Sequence, residues 1–230
     1  MTQQAKPVRA GLIVPINNTT MERELLSWLP PGSTCITLRI PRGKGLLTLE
    51  AIPAYQAASL ALAREFPEGL DVIAYGCTAA GFLAGPAADA SLGAQIAADT
   101  HTKVITTAGA MVAQLQAIEA RSVDLVTPYS DAVNAGLASF MAHAGITLGR
   151  VARLHAPDVE ALGRLTEADV TQAAHSLIGA QGDAVFIACS QLPTANILAD
   201  LRVALGKPVL SSIQSTAAQA LHTLREETHA

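Results

Sequence analysis

Residues 71–78 read DVIAYGCT, and residues 183–190 read DAVFIACS. Each segment has a short apolar run, then a cysteine, then a small hydroxyl residue, and the two cysteines, Cys77 and Cys189, are 112 residues apart. A short apolar run of this kind predicts a buried β-strand that ends at the cysteine. The likeness of the two segments predicts that the fold contains a repeated unit.

Two further pairs of segments support the repeat. Residues 12–17 read LIVPIN and match residues 125–130, LVTPYS. Residues 103–107 read KVITT and match residues 207–211, KPVLS. The three matches occur in the same order along the chain, so we predict two homologous halves related by a pseudo-twofold axis.

The two predicted halves are residues 1–107 and residues 108–230, and it stays open whether the C-terminal helix packs back on the first half. In each half, runs rich in Val, Ile and Leu alternate with longer Ala/Leu-rich stretches at helical spacing, a pattern typical of α/β proteins with doubly wound parallel sheets. Ligands of such sheets bind beyond the carboxyl ends of the strands. The matched strand ends therefore predict an active site in the cleft between the halves.

The alternation predicts strands and helices over most of the chain. The strands are expected at residues 8–14, 34–40, 72–75, 104–106, 123–127, 149–154, 184–188 and 208–210. The helices are expected at residues 20–28, 49–65, 88–99, 108–120, 131–144, 166–180, 195–205 and 212–227.

The composition supports the α/β class and narrows the function. Half of the 230 residues are hydrophobic but only 3% are aromatic, as expected for sheets covered by helices. The formal net charge of -4 leaves no basic excess for a phosphate backbone, so we expect no nucleic-acid partner. No apolar stretch has the length of a membrane span, and residues 1–9 are polar. We expect a cytoplasmic protein without a membrane partner.

The cysteines predict reactive thiols rather than a disulfide framework or a metal site. Their number is odd, and they form neither a Cys-x-x-Cys pair nor a cluster with histidine at zinc-like spacing. Cys35 lies inside a predicted strand, where an inert buried role is common. Cys77 and Cys189 each precede a predicted helical segment, whose N-terminal amides would favour the thiolate and lower its pKa. Their equivalent places in the repeat favour a reactive role.

Two thiols that face each other across a cleft suit three reactions of a small carboxylate. These are racemisation by proton removal and return, cis-trans isomerisation by thiolate addition to a double bond, and decarboxylation of a malonate. A non-catalytic carboxylate-binding domain is the alternative of a different class. Each reaction needs donors for negative charge, although helix capping or core packing would also explain these residues. The candidate donors at the loop starts are Asn17, Asn18, Thr19, Thr78, Tyr129, Ser130 and Ser190.

Five motifs along the chain resemble those of the aspartate/glutamate racemase superfamily. They are GLIVP at 11–15, NTTME at 18–22, YGCT at 75–78, TPY at 127–129 and ACSQLPT at 188–194. Within the superfamily, the chain is most similar to the branch of maleate isomerases and arylmalonate decarboxylases. The resemblance implies a pseudosymmetric doubly wound fold, no metal or organic cofactor, and frequent dimerisation, so we expect a homodimer.

The resemblance also implies roles for individual residues. Cys77 would be the nucleophile and Cys189 the acid and base. The substrate carboxylate would be held by Thr78, Tyr129 and Ser190, with help from Asn17 or Asn18.

Differences between this sequence and the motifs of related enzymes favour one of the three reactions over the others. Arylmalonate decarboxylases carry glycine at the place of Cys77 and serine at the place of Ala79. Glutamate racemases carry histidine after the second cysteine, where this chain has Ser190, whereas maleate isomerases have both cysteines and a first-loop asparagine. We predict a cofactor-independent two-cysteine isomerase, most concretely one that converts maleate to fumarate. The alternatives are a racemase of a 2-substituted carboxylic acid and an arylmalonate-type decarboxylase that uses Cys189.

Overall fold

The computed structural model describes residues 6–41, 43 and 45–227 and has two four-stranded parallel sheets. The first sheet contains β1 (Arg9–Pro15), β2 (Thr34–Ile40), β3 (Val72–Tyr75) and β4 (Lys103–Thr106), in the order β2-β1-β3-β4. The second contains β5 (Ser122–Thr127), β6 (Thr147–Arg153), β7 (Ala184–Ile187) and β8 (Val209–Ser211), in the order β6-β5-β7-β8. The two orders are equivalent, which confirms the predicted α/β class with two parallel-sheet halves.

Helices connect the strands and cover the sheets. They are α1 (Met21–Trp28), α2 (Ile52–Ala63), α3 (Thr78–Ala84), α4 (Pro86–Thr100), α5 (Thr107–Ala117), α6 (Asp131–His143), α7 (Val159–Arg164), α8 (Glu167–His175), α9 (Leu198–Leu205) and α10 (Ser212–Glu227). In the described part of the chain, no helix is long and apolar enough to cross a membrane.

Two helices were missing from the sequence prediction. Helix α3 has seven residues, too few for a helical period to be read, and it ends at Gly85, whose φ of 84° is readily adopted by glycine. Helix α7 has six residues and is capped by Asp158, whose side chain accepts a hydrogen bond from the Ala161 N–H over 2.7 Å. Both helices lie next to strand-end loops and contribute residues to the cleft.

Several predicted helices were longer than the observed ones. The helix predicted at residues 166–180 ends at His175, and the one predicted at residues 195–205 begins only at Leu198. The second difference matters for the site, because the chain between β7 and α9 forms turns rather than a helix.

Helix α10 completes the core of the first sheet. Its residues Ile213, Ala217 and Ala220 are buried in one cluster with Leu12 of β1 and Val72 of β3. The helix begins directly after β8, the edge strand of the second sheet. The chain thus returns from the second sheet to cover the first.

Helices α3 and α6 make a close contact between the two halves. A Cβ atom at Gly136 of α6 would lie 2.7 Å from the carbonyl oxygen of Phe82 in α3, closer than real Cβ contacts. The ring of Phe82 packs edge-to-face on Phe140 of α6, with ring centroids 5.5 Å apart. Glycine at position 136 therefore sets the distance between α6 and the helix that follows Cys77.

We predict that Gly136→Ala destabilises the protein because the added methyl group meets backbone that cannot move without separating the helices. The free energy of unfolding should fall by about 1–3 kcal/mol, measured by urea unfolding followed by circular dichroism. Gly163→Ala is the matched control, since a Cβ atom there would meet nothing nearer than 3.9 Å. It should leave stability unchanged or raise it by up to about 1 kcal/mol. Equal stabilities of Gly136→Ala and the wild type would contradict this account of the contact.

Candidate active site

One cleft collects the loops that follow β1, β3, β5 and β7. The two predicted catalytic cysteines and the five predicted substrate-binding residues line it, namely Asn17, Asn18, Cys77, Thr78, Tyr129, Cys189 and Ser190. The described lining also includes Pro15, Leu46, Leu47, Ala79, Pro128, Ser130, Val133, Leu162 and Gln191. None of these lining residues is Asp, Glu, Lys, Arg or His, so the titratable groups among the described lining residues are the two thiols and the Tyr129 phenol.

Cys77 lies at the start of a helix. It is the N-terminal cap residue of α3, and its carbonyl oxygen accepts the Ala80 N–H over 3.1 Å and the Gly81 N–H over 3.3 Å. The N–H groups of Thr78 and Ala79 precede the first intrahelical hydrogen bonds and stay available at the helix start. Cys77 is buried at this helix start, with only 5% relative exposure.

Cys189 has a different environment, although it occupies the equivalent place in the repeat. Its backbone N–H donates to the Ser212 Oγ over 3.1 Å, and its sulfur accepts the Gln191 N–H over 3.5 Å. Burial raises the pKa of Cys189 to about 11, and nearby Cys77 adds to the increase. The hydrogen bond from the Gln191 N–H and the nearby Tyr129 phenol act in the opposite direction but are weaker.

The sequence-based expectation of a lowered pKa is therefore wrong for Cys189. That expectation assumed a helix directly after the cysteine, whereas the chain turns from Ser190 onward and α9 begins only at Leu198. Without a helix that starts directly after Cys189, desolvation dominates the pKa. Cys189 consequently keeps its proton at neutral pH.

The side chains of Asn18 and Ser190 form hydrogen bonds within the protein. The Asn18 amide nitrogen donates to the Ser190 carbonyl oxygen and Oγ, both over 3.2 Å. Its amide oxygen accepts the N–H groups of Thr20 and Met21, which caps the start of α1. The Ser190 hydroxyl donates to the Gly76 carbonyl oxygen over 2.6 Å. These bonds use both donors and both acceptor sites of the Asn18 amide.

Three other polar groups in the cleft are buried without a protein partner among the described residues. They are the Asn17 Oδ1, the Thr78 Oγ1 and the Tyr129 Oη. Buried polar atoms nearly always have a hydrogen-bond partner, so such a group facing a cleft indicates a place for a ligand atom. Of the two first-loop asparagines, it is Asn17 whose side chain has an unpaired atom in the cleft.

Tyr129 can serve only as a neutral donor at ordinary pH. Burial raises its pKa well above the usual value, and the adjacent thiols of Cys189 and Cys77 raise it further. Its ring packs edge-to-face on Phe82, with centroids 6.2 Å apart. Both thiols lie near enough to the phenol to affect its pKa.

Two features of the cleft were not found from the sequence. The Gln191 side chain bonds reciprocally to Thr19, because its Oε1 accepts the Thr19 N–H over 3.0 Å and its Nε2 donates to the Thr19 Oγ1 over 3.1 Å. Leu162 lies on the unpredicted helix α7 and lines the opening with Leu46. The sequence feature that could have identified Gln191 as a cleft residue is its position two residues after Cys189. Ser130, a candidate donor, caps α6 by accepting the Val133 N–H.

The arrangement suits acid-base and nucleophilic chemistry on a small anion. Two thiols of unequal environment face neutral hydrogen-bond donors, and a helix start lies beside one of them. Among the described residues, no group of three His, Cys, Asp or Glu side chains is placed to hold a metal ion. The proton carriers available in the lining are thus the thiols and the phenol.

The chain is similar to known proteins over most of its length. A family model described as arylmalonate decarboxylase matches residues 50–230. Maleate isomerase of Nocardia farcinica is 30% identical, with 94% of this chain and 90% of the relative covered, and maleate isomerase of Geobacillus stearothermophilus is 29% identical, with 98% and 95% covered.

A solved structure of the Nocardia farcinica enzyme superposes with a TM-score of 0.85 at 27% identity, covering 96% of this chain and 94% of that one. That structure is a cysteine-to-serine mutant of maleate cis-trans isomerase with a covalently bound succinylcysteine intermediate. The match to the family model spans well over half of the sequence. The chain therefore belongs to the arylmalonate decarboxylase family.

Proposed function

We propose that this protein converts maleate to fumarate without a cofactor, with Cys77 as the nucleophile and Cys189 as the acid and base. The observation that carries the proposal is the pair of buried thiols in one cleft, of which one lies at a helix start and the other has a pKa of about 11. The relatives named maleate isomerases support it. A succinylcysteine, as found in one of them, is the product of adding a cysteine sulfur and a proton across the double bond of maleate.

The reaction begins when the Cys77 thiolate donates an electron pair to one alkene carbon. The π electrons of the double bond then take the thiol proton of Cys189 at the neighbouring carbon. The former double bond is now single and rotates. The Cys189 thiolate removes a proton from the carbon that it protonated, the double bond re-forms, and Cys77 leaves as a thiolate. No atom or electron is gained or lost.

The unequal environments of the thiols fit these two roles. The N–H groups of Thr78 and Ala79 stabilise negative charge beside Cys77. Cys189 stays protonated at neutral pH, so it can donate a proton to the carbanion that forms during addition. Once deprotonated, a thiolate of such high pKa is also a strong base for removing the proton again.

We assign substrate binding to the groups that lack protein partners. The Asn17 amide, the Thr78 hydroxyl and the Tyr129 phenol would bind the carboxylates, together with the N–H groups at the start of α3. Asn18 and Ser190 would support the site indirectly, because their side chains hold the two cysteine loops together.

Proton NMR of the purified protein with maleate tests the proposed reaction. We expect the maleate alkene signal to decrease while the fumarate signal rises, because the adduct can collapse to the more stable trans product. The same experiment with arylmalonates and with chiral 2-substituted acids in deuterated water covers the alternatives. Unchanged maleate together with loss of carbon dioxide from a malonate would establish a decarboxylase. Loss of the alpha proton of a chiral acid would instead establish a racemase.

Substitution of each cysteine should stop the reaction at a different stage. Cys77→Ser should abolish both turnover and adduct formation. Cys189→Ser should lower the turnover rate by more than about 10³-fold. This variant should still form a covalent adduct on Cys77, because the nucleophile remains. Intact-protein mass spectrometry after incubation with maleate should show the added mass of one maleic acid.

The matched control is Cys35→Ser. Cys35 is a half-buried thiol of β2 outside the cleft, and its sulfur lies 3.6 Å from the Thr37 Oγ1. Full activity is expected for this variant. An adduct on Cys189 or Cys35 in place of Cys77 would contradict the assignment of Cys77 as the nucleophile.

We also propose that the protein acts as a homodimer in the cytoplasm. The edge strands β2 and β6 present the exposed apolar side chains of Ile36 and Val151, on which a second copy could pack. All three cysteines are free thiols, as the mechanism requires and as a reducing compartment maintains. Sedimentation equilibrium should give twice the mass of one chain, and the mass of a single chain would contradict the dimer.

A further inference from the structure

A buried carboxyl group connects the first half to the loop that carries Cys189. Glu24 lies in the first turn of α1 and is only 3% exposed. Its Oε1 accepts the Thr194 N–H over 2.7 Å, and its Oε2 accepts the Thr194 hydroxyl over 3.0 Å. Both oxygens therefore bind one residue that lies 170 positions further along the chain.

Thr194 ends a short segment, residues 189–194, that we call the Cys189 loop. The Thr194 Oγ1 also lies 3.0 Å from the Ser211 Oγ, and the next residue, Ser212, accepts the Cys189 N–H over 3.1 Å. The loop is thus fixed at both ends to the strand and helix that follow it in the second half. Glu24 holds its far end to the first half.

The middle of the Cys189 loop is also bound to the first half. Ser190 and Gln191 contact Asn18 and Thr19 through the four side-chain hydrogen bonds described above. The Gln191 N–H in turn donates to the Cys189 sulfur over 3.5 Å. A displacement of the loop would therefore move the sulfur and the hydrogen bond that it accepts.

Burial of a carboxyl group is costly unless hydrogen bonds compensate it. Thr194, which supplies both compensating bonds, is itself only 1% exposed, so neither partner can turn to water. Loss of the carboxyl group would leave the Thr194 N–H buried without an acceptor. The loop would then have to move outward to find one.

We propose that Glu24 is a positioning residue, which locks the Cys189 loop onto the first half so that the Cys189 thiol reaches the substrate carbon next to the one that Cys77 attacks. This inference rests on the proposed roles of the two thiols. Proton transfer depends steeply on position, and a displacement of about 1 Å in an active site can cost about 10²-fold in rate. Glu24 itself does not line the cleft.

The first test measures the reactivity of Cys189 and needs no substrate. In a Cys35→Ser, Cys77→Ser background, Cys189 is the remaining thiol, and its alkylation by iodoacetamide is followed against pH. Glu24→Ala should release the Thr194 end of the loop from the first half, expose the sulfur and lower the apparent pKa of Cys189 from its value in that background. The alkylation rate at neutral pH should rise about tenfold for each unit by which the pKa falls.

Glu24→Gln should restore most of the parent behaviour, because its amide oxygen can still accept the Thr194 N–H. Glu167→Ala is the matched control. Glu167 accepts the Asn196 N–H over 3.1 Å, two residues beyond Thr194, but it belongs to α8 of the second half. This variant removes the same kind of bond without releasing the loop from the first half, so the alkylation profile should not change.

The second test uses turnover of maleate by variants that retain all cysteines. Glu24→Ala should lower kcat by about 10²-fold while KM changes little, and the solvent deuterium isotope effect on kcat should increase because proton transfer by Cys189 becomes rate-limiting. Loss of stability alone would change neither the isotope effect nor the alkylation profile of the folded fraction. If Glu24→Ala fails to fold, Glu24→Asp takes its place, since the shorter side chain cannot hold both Thr194 donors.

An unchanged alkylation profile and an unchanged kcat in the folded variants would overturn the positioning role. If the wild type does not isomerise maleate, the proposed function fails, but the alkylation profile still decides whether Glu24 fixes the Cys189 loop. The two failures are therefore distinguishable.

Discussion

The buried hydrogen bonds between the two halves fix the separation of the two thiols. The repeated strand order brings the Cys77 and Cys189 loops to the same cleft, but it does not set the distance across it. Asn18 and Ser190 contribute one directional contact, and the Gly136 backbone lets α6 lie close against α3. Apolar packing supplies most of the free energy of association, whereas directional polar contacts select one arrangement. The proposed reaction requires both the apolar packing and the directional polar contacts.

Cys77 and Cys189 occupy equivalent positions in the repeat, but their chemical environments differ. A helix begins directly after Cys77, whereas the chain after Cys189 turns and binds the first half. Cys77 therefore lies at a helix start, whereas burial raises the pKa of Cys189. Neutral donors in the cleft preserve this difference, because a lysine or arginine beside Cys189 would lower its pKa and weaken it as a base. In the proposed mechanism, the described lining would therefore bind the anionic substrate without lowering the pKa of Cys189.

Local pattern was sufficient to predict the sheets and to place the two cysteines and several polar residues in one cleft, because strand ends and their cysteines are close in sequence. It was insufficient for α3 and α7, which are shorter than two helical turns. Pattern also could not separate Asn17 from Asn18, since the difference depends on a contact with Ser190, 172 residues away. The pKa of Cys189 was predicted in the wrong direction for the same reason. Desolvation is set by what packs around the sulfur, and no local motif encodes it.

Helix α10 has a consequence for how the protein is made. The apolar face of the first sheet that contains Leu12 is closed by Ile213 and neighbouring residues. During translation the first sheet can be complete in sequence while this face is still uncovered, so the usual folding of N-terminal units before the rest is synthesised is delayed. The nascent chain must keep an unprotected apolar surface in solution until α10 leaves the ribosome. A chaperone that binds such surfaces would act on this protein during that interval.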